Sequence, residues 1–362
     1  MVTTPDDTFD LYDGDVSLRE ALFYASVEEI SAPITFDAPL AGGQVTLAGG
    51  PLTIDHALRV DASALSSLTI NGDGKSGVFS ILALQVELTG VTITGGSTIG
   101  YGGGIVCFGE LALSASILSG NSADLGGGIH SLDGALTVTE STISGNSASS
   151  YHGGGIDSYD GTLTVTGSTI SGNSASEYGG GICHESGTMT VTSSTIGGNS
   201  ADRGGGIYAW NDTATVTNST ISANSADFGG GIHNYGTLTL GHTIVAGNTA
   251  PHGPDGYSFG LITFQGYNLV GKNSEFAFSA VAGDQVGTPG RRSTRDWPPW
   301  PTTAGPRRPM PSSLTARPST RATPASPRPR TPTSEAIPAS STATEIPRRP
   351  WTSAPMSSRS GR

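Results

Sequence analysis

The stretch from 153 to 175 decides the fold, and it reads GGGIDSYDGTLTVTGSTISGNSA. Apolar residues alternate in it with polar ones, as in Leu163-Thr164-Val165-Thr166. A period of two is typical of β-strands, and apolar residues never gather at the spacing of 3.6 that a helix needs. Each predicted strand is short, so one copy of the stretch cannot close a hydrophobic core alone.

The stretch is one copy of an internal repeat. The phrase Gly-Gly-Gly-Ile recurs with its Ile at positions 105, 129, 156, 182, 207 and 232. A second phrase places Asn at positions 121, 146, 173, 199, 224 and 248. Stacked units of this kind bury a shared core and satisfy their backbone groups against neighbouring coils. The sequence therefore predicts an all-β fold, a parallel β-helix over 34–287 that is right-handed by the rule for parallel crossovers.

The alternation assigns residues to the interior in four columns. The predicted columns are Ile129/Ile156/Ile182/Ile207/Ile232, Leu136/Leu163/Met189/Ala214/Leu238, Val138/Val165/Val191/Val216/Leu240 and Ile143/Ile170/Ile196/Ile221/Ile244. The glycine triplets predict tight bends with positive φ. The Asn column predicts a second bend, where Asn tolerates the left-handed region and stacked amides bond from coil to coil.

Upstream of the repeat, apolar and polar residues continue to alternate, but less regularly. This part of the sequence predicts roughly three further coils, stacked at the usual spacing of β-strands. Its predicted strands are 34–36, 45–47, 52–54, 58–60, 68–70, 78–81, 86–88 and 91–93. Before them, residues 17–25 have apolar side chains at 18, 21, 22 and 25, which predicts an amphipathic helix with Asp15 or Ser17 as its N-cap. We expect this helix, within a lead-in over 1–33, to close the open end of the solenoid.

The composition excludes several classes of protein. Residues 1–290 carry 5 Lys and Arg against 27 Asp and Glu, a net charge of −22, so no basic stripe for nucleic acid exists there. No run of 18 apolar residues predicts a transmembrane segment, and the opening residues lack the pattern of a signal peptide. Two cysteines exclude a disulfide scaffold, and Cys107 and Cys183 fall three coils apart, too far to pair.

Two resemblances to known families follow from these motifs. The segment Val16-Ser17-Leu18-Arg19-Glu20-Ala21 resembles the signature of CSLREA-domain proteins, with Val16 where that signature has Cys. The Gly-Gly-Gly-Ile and Ile-x-x-Asn phrases are similar to the short repeated motifs of chlamydial polymorphic outer membrane proteins. The first resemblance covers about 1–287, and both imply a pectate-lyase-like β-helix in an extracellular or cell-surface setting more than they imply an activity.

The strip that follows Gly-Gly-Gly-Ile is the candidate binding surface. Alternation points His130, Asp157, Tyr208 and His233 outward on their coils. Two residues further on stand Phe108, Tyr159, Glu185, Trp210 and Tyr235. An exposed strip of aromatic and His side chains is suited to a polysaccharide or a cell-surface protein. The alternative is that these side chains cover the flank of the next coil.

A second candidate site would make the protein a polysaccharide lyase or hydrolase acting on an acidic polysaccharide. Glu177, Asp202, Arg203 and Asp227 occupy the bend before the glycine triplet on three successive coils, close enough for a base and a Ca²⁺ ion. The alternative is a solvated bend where the repeat tolerates polar residues. The repeat stays nearly uniform from 105 to 250, which favours a non-enzymatic structural or adhesive protein.

Calcium is the cofactor for which the acidic residues offer candidate ligands. Asp13 and Asp15 crowd the N-terminus and offer carboxylate oxygens, as do Glu177, Asp202 and Asp227 at the bend. The N-terminal loop lacks the twelve-residue EF-hand pattern, so the other interpretation of it is an acidic lead-in.

The chain changes character at residue 288. The segment 288–362 holds 16 of the 22 Pro and 13 Arg but no Lys, which predicts a disordered basic tail. A frameshift explains the change better, because reading 351–358 one base earlier can give Val-Asp-Ile-Gly-Ala-Tyr-Glu-Phe, similar to the usual CSLREA-family ending.

We therefore expect a one-base correction of the coding DNA near Gly290 to restore that ending in frame. Sequencing the gene decides the matter, and the hypothesis fails when no single-base correction yields the phrase.

Overall fold

The structure, a computed structural model, describes residues 1–287 apart from residues 29, 31, 84, 273 and 278. The predicted tail over 288–362 lies outside the described residues. Within them the chain forms a parallel β-solenoid of about nine turns with one N-terminal α-helix, as the repeat predicts. Every strand pairs with its neighbour in parallel, because each coil places the same segment directly beside that of the next coil.

The described strands form three sheets. Sheet A has sixteen strands, at Ile34–Thr35, Leu52–Ile54, Leu58–Asp61, Phe79–Ile81, Val86–Thr89, Ile105–Cys107, Leu111–Ser114, Ile129–Leu132, Ala135–Thr139, Ile156–Thr166, Ile182–Thr192, Ile207–Thr217, Ile232–Asn234, Thr237–Gly241, Gly256–Ser258 and Leu261–Phe264. Sheet B has eleven, at Gly43–Thr46, Leu68–Asn71, Thr92–Thr94, Ile117–Ser119, Thr142–Ser144, Thr169–Ser171, Thr195–Gly197, Thr220–Ser222, Ile244–Val245, Leu269–Lys272 and Gln285–Gly287. Sheet C has three, at Ser122–Ala123, Ser147–Ala148 and Ser174–Ala175.

Sheet A combines two columns of strands. One column follows the glycine triplets and the other carries the Leu-Thr-Val-Thr phrase. On three successive coils the two columns fuse into the eleven-residue strands Ile156–Thr166, Ile182–Thr192 and Ile207–Thr217. All eight strand segments predicted upstream of the repeat overlap a strand of sheet A or sheet B.

The core consists of the predicted inward columns, with one correction. Ile129, Ile156, Ile182, Ile207 and Ile232 pair in register and are fully buried, and the Leu/Met/Ala and Val/Leu columns behave alike. In the fourth column Ile221 pairs with Val245, while Ile244 pairs with Thr220 and is 40% exposed. The assignment of Ile244 to the core is therefore wrong, because Thr243 occupies the position of Ser219 and the register then places Ile244 at the outward position of Thr220.

The Asn column is a buried hydrogen-bonded ladder, as predicted. Asn173 shows the pattern: its Nδ2 donates to Asn199 Oδ1 at 3.0 Å and to the Ile143 carbonyl at 3.0 Å. Its own Oδ1 accepts from the backbone N and the Nδ2 of Asn146, both at 3.0 Å. A parallel ladder of serine hydroxyls runs beside it, in which the backbone N of Ser141 donates to Ser168 Oγ at 3.1 Å.

Positive φ falls on the residues beside the Asn column rather than on Asn itself. Gly172, directly before Asn173, has a φ of 63°, and Gly145 before Asn146 has 62°. The predicted left-handed conformation of Asn is therefore wrong, because the preceding residue makes the turn. In the glycine triplets the first residue takes the positive φ, as in Gly153 at 65°. The third is required for close approach, since a Cβ on Gly128 would lie 2.5 Å from the Gly155 carbonyl oxygen.

The helix Leu18–Val27, α1, packs on the first coils. Ser17 is its N-cap, and Glu20 completes a capping box with it. Leu18, Ala21, Leu22 and Ala25 are buried, which confirms the predicted apolar face. A short 3₁₀ helix follows at Ala38–Leu40.

An ion pair ties α1 to the lead-in and the first coil. Arg19 Nε lies 2.8 Å from Asp7 Oδ1, and Asp7 Oδ2 accepts from the Ala48 and Gly49 amides at 2.7 and 2.9 Å. Burial alone raises the pKa of Asp7, but the Arg19 guanidinium and the two amides outweigh burial and hold the pKa below its usual value. The acidic lead-in is therefore part of the packed end of the solenoid.

We expect Asn173→Ala to destabilise the solenoid by about 4 kcal/mol, since it removes four buried hydrogen bonds and leaves their partners unsatisfied. Urea unfolding followed by circular dichroism measures the loss. Asn218→Gly is the matched control, because Asn218 is exposed with a φ of 51° that glycine also adopts. A midpoint for Asn173→Ala equal to that of the control would contradict a stabilising ladder.

Candidate functional site

The first outward column of the predicted strip is buried. His130, Asp157, Tyr208 and His233 point away from the core, as alternation requires, yet they are 5%, 3%, 4% and 1% exposed. The prediction that these four side chains form an exposed surface is therefore wrong. Alternation predicts which face of the sheet a side chain points to. On this part of the outer face, a second layer of side chains covers the column and excludes solvent from it.

The covering layer comes from the bend before each glycine triplet. Bend residues stack from coil to coil as paired bridges, among them His152 with Tyr178 and Arg203 with Phe228. Their rings lie against the buried column: the Tyr101 and His130 ring centroids are 4.7 Å apart, and those of Tyr178 and Tyr208 are also 4.7 Å apart. The alternative interpretation, in which these side chains cover the flank of the next coil, fits this column, since the ring centroids of Tyr208 and His233 on successive coils are 5.5 Å apart.

The second outward column remains open to solvent. Phe108, Tyr159 and Trp210 are 44%, 43% and 44% exposed. Tyr235 is half-buried between two neighbours, with ring centroids 4.6 Å from Trp210 and 5.0 Å from Phe259. We call Phe108, Tyr159, Trp210, Tyr235 and Phe259 the aromatic strip. It presents ring faces and edges along one flank of sheet A.

An acidic groove runs beside the beginning of the aromatic strip. It encloses about 430 Å³ and is lined by Phe108 together with the carboxylates of Glu110, Asp133 and Asp160. Asp133 and Asp160 hold the turn between the two strand columns with φ values of 57° and 51°, a conformation that Asp tolerates. The sequence analysis missed this groove, although the acids recur at equivalent turns of successive coils.

The residues of the predicted lyase site lie on successive coils, as expected. The Arg203 backbone N donates to the Glu177 carbonyl at 2.8 Å, and the Asp227 backbone N donates to the Asp202 carbonyl at 2.9 Å. The Arg203 guanidinium lies 5.5 Å from the ring centroid of Tyr178 and 5.9 Å from that of Phe228. Among the described residues it forms no ion pair, so its main contacts are cation–π contacts within the covering layer.

The N-terminal aspartates cap their own loop. Asp13 Oδ1 accepts from the Asp15 backbone N at 3.0 Å, and Asp15 Oδ1 lies 3.5 Å from Thr3 Oγ1. Calcium binding by Asp13 and Asp15 stays a prediction. In the described part of the chain, the one group of three metal-ligating side chains whose donor atoms come together is instead His152, Asp157 and Cys183.

This group belongs to a larger polar cluster beneath the covering layer. His130 Nδ1 lies 2.8 Å from Asp157 Oδ2, and His152 Nδ1 lies 3.0 Å from Glu185 Oε1. The Cys183 Sγ lies 3.7 Å from Glu185 Oε1. Burial raises the pKa of the Cys183 thiol well above its ordinary value, and the Asp157 and Glu185 carboxyls add to the increase. Both cysteines are free, as their separation predicts.

The flank of one coil also matches a known protein family. Residues 167–185 match the Chlamydia polymorphic membrane protein repeat. The matched segment contains one Asn phrase and one Gly-Gly-Gly-Ile phrase, so it agrees with the second resemblance in the sequence. No curated protein and no solved structure matches the chain. The match and the solenoid together fit a polymorphic-membrane-protein-like β-helix, while the CSLREA and pectate-lyase-like resemblances stay predictions.

Among the described residues no helix has the length and apolar character needed to span a bilayer, and α1 has only ten residues.

Two ionisable groups are buried without a hydrogen-bond partner among the described residues. His184 lies on the strand Ile182–Thr192 and is fully buried. Burial lowers its pKa to about 4, which keeps the ring neutral. Asp212 lies within the fused strand Ile207–Thr217, directly after the positive-φ residue Asn211, and burial raises its pKa to about 7. Neither side chain is open to solvent, so the protonation of each one is coupled to the free energy of unfolding.

We expect Asp212→Asn to remove a pH-dependent loss of stability. The unfolded chain releases the Asp212 proton near 3.8 and the folded protein near 7, so this group lowers the free energy of unfolding as the pH rises between those values. The shift corresponds to an upper limit of about 4 kcal/mol. Urea unfolding from acid to neutral pH measures the slope, and equal slopes in the two proteins would contradict an uncompensated buried carboxyl.

Proposed function

We propose that the protein is a non-enzymatic cell-surface β-helix with an adhesive role, and that its aromatic strip binds a neutral glycan. The polymorphic-membrane-protein repeat match supports the surface setting, because that family takes its name from membrane proteins. The single observation that carries the binding role is the exposure of Phe108, Tyr159 and Trp210 on a rigid sheet.

The geometry of the aromatic strip suits a chain of sugar rings. Successive coils lie about 4.8 Å apart, and the strip offers adjacent rings at Trp210, Tyr235 and Phe259. Leu132 and Glu185 stand in the column between Phe108, Tyr159 and Trp210. No loop has to become ordered on binding, because these residues lie on or beside paired strands. Trp and Tyr provide a large apolar face at a small entropic cost. The apolar faces of sugars can stack on these rings, while the sugar hydroxyls donate to the Glu110, Asp133 and Asp160 carboxylates of the acidic groove.

Charge favours a neutral glycan over an acidic one. The aromatic strip adjoins carboxylates on the groove side and Glu185 within its own column. A polyuronate would be repelled by these groups, since the segment 1–290 carries a net charge of −22. A lyase also needs a cation beside the substrate carboxylate. Arg203, the candidate for that role, is engaged with Tyr178 and Phe228, so the enzymatic alternative is the weaker proposal.

We expect Trp210→Ala and Tyr159→Ala each to weaken binding to a neutral oligosaccharide by at least about tenfold, because exposed aromatic anchors carry most of the energy of such contacts. A glycan array on the wild-type protein selects the oligosaccharide, and calorimetry measures the variants. Tyr12→Ala is the control, since Tyr12 is 95% exposed and lies in the lead-in.

Two results would contradict the proposal. One is an array without any neutral ligand or with unchanged affinity in both strip variants. The other is cleavage of polyuronate that requires Arg203, detected by the ultraviolet absorbance of the unsaturated product, which would support the lyase instead.

A further inference from the structure

The polar cluster beneath the covering layer brings together three donors of different chemistry. One atom each of His152, Asp157 and Cys183 lies within 4.8 Å of the other two. Asp157 and Cys183 are paired neighbours on adjacent coils, and His152 reaches them from the bend of the Asp157 coil. Two coils therefore contribute to one point, with Asp157 and Cys183 on paired strands and His152 at a bend that is bridged to Tyr178.

Two further side chains surround this point in the arrangement that usually supports metal ligands. His130 contacts Asp157 at 2.8 Å, and Glu185 contacts both His152 and Cys183, at 3.0 and 3.7 Å. Ligating His residues commonly bond through their other nitrogen to a carboxylate, and ligating carboxylates are themselves hydrogen-bonded. Glu185 is placed to serve either as this outer partner of His152 or as a fourth ligand.

The cluster contains the carboxyls of Asp157 and Glu185 but no Lys or Arg, so the imidazoles of His130 and His152 are its groups that can carry a positive charge. Asp157 and Cys183 are 3% and 0% exposed, and the five cations of 1–290 include one near this flank, Arg203, whose guanidinium stacks between rings two coils along. Burying a carboxylate is costly unless a cation or several hydrogen bonds compensate it. A divalent cation among the three donors would supply that compensation.

We propose that His152, Asp157 and Cys183 form a zinc site that links two successive coils of the solenoid. Sulfur, imidazole nitrogen and carboxylate oxygen together are the donors of zinc, whereas calcium and magnesium take oxygen ligands alone. A tetrahedral zinc ion with bonds of about 2.0 to 2.3 Å holds its ligand atoms roughly 3.3 to 3.8 Å apart. The three donor atoms now lie within 4.8 Å of one another, so zinc binding requires side-chain rotations that close them to that spacing.

The cluster breaks the repeat at the place where the site forms. The first outward column holds Tyr208, His233 and Tyr257 on the later coils, where ring stacking fills the space. It holds Asp157 and Cys183 on the two coils beneath them. The earlier coils hold Val106 and His130 in this column, so a carboxyl and a thiol stand side by side only on these two of its coils from 106 to 257. A shared zinc ion accounts for that pairing.

Metal binding to the full chain tests the proposal directly. The protein is purified under reducing conditions, stripped with a chelator and titrated with Zn²⁺ by calorimetry, and then with Co²⁺ by absorbance. We expect one equivalent of zinc, and for cobalt a charge-transfer band in the near ultraviolet, because a thiolate ligand produces such a band and oxygen and nitrogen ligands do not. These two measurements on the wild-type protein do not depend on any variant folding.

Variants assign the site to its residues. We expect Cys183→Ser to abolish the cobalt charge-transfer band and to weaken zinc binding by at least about 100-fold, and Asp157→Asn to weaken zinc binding similarly. Cys107→Ser is the matched control, because Cys107 is a second fully buried cysteine that points into the core and bonds to the Gly109 carbonyl. It should bind zinc as the wild type does.

Several outcomes would overturn the site. These are no zinc in excess of a chelator blank, a cobalt spectrum without the thiolate band, or equal zinc affinity in Cys183→Ser and Cys107→Ser. A failure here leaves glycan binding by the aromatic strip untouched, since Tyr159 and Trp210 are not among the three ligands.

Discussion

The in-register parallel pairing of each coil with the next is the constraint on which the rest of the structure depends. It places every side chain about 4.8 Å from its equivalent on the next coil, so each residue has to be compatible with the residue that it stacks on. Asn meets this requirement in the interior, because each amide donates to the next coil and accepts from the previous one. Aliphatic side chains meet it by packing alone.

Each ladder needs a final acceptor, because its last amide has no further coil to donate to. The chain provides one acceptor for the Asn ladder and one for the hydroxyl ladder. The Asn ladder stops at Asp255, whose Oδ1 accepts from the backbone N and the Nδ2 of Asn248 at 2.9 and 3.0 Å. The hydroxyl ladder passes through Asn268 and stops at Asp284, which accepts at 2.8 and 3.0 Å. A carboxylate has no proton to donate, so it satisfies the last amide and requires nothing from a further coil.

The sequence was sufficient to predict whatever follows from periodicity. The inward columns, the glycine bends, the helix α1 and the Asn ladder are all periodic features, and they form as predicted apart from Ile244 and the conformation of the Asn residues. The assignment of Ile244 to the core is wrong because it matched residue types. The register decides which residue faces the core, and in it Thr243 takes the place of Ser219. The burial of His130 and Tyr208 could not be predicted from alternation, because alternation carries no information about the bend residues that fold over the sheet.

The metal-ligating cluster was missed for a related reason. Asp157 and Cys183 are 26 residues apart, so no local spacing of zinc ligands connects them, yet alignment of the coils on their glycine triplets places them in one column. His152 then falls directly before the triplet of the first coil. In a solenoid the informative comparison is down a column rather than along the chain. A column that stays constant is explained by stacking, whereas a column that departs from its own pattern on adjacent coils has to be explained by something that stacking does not provide.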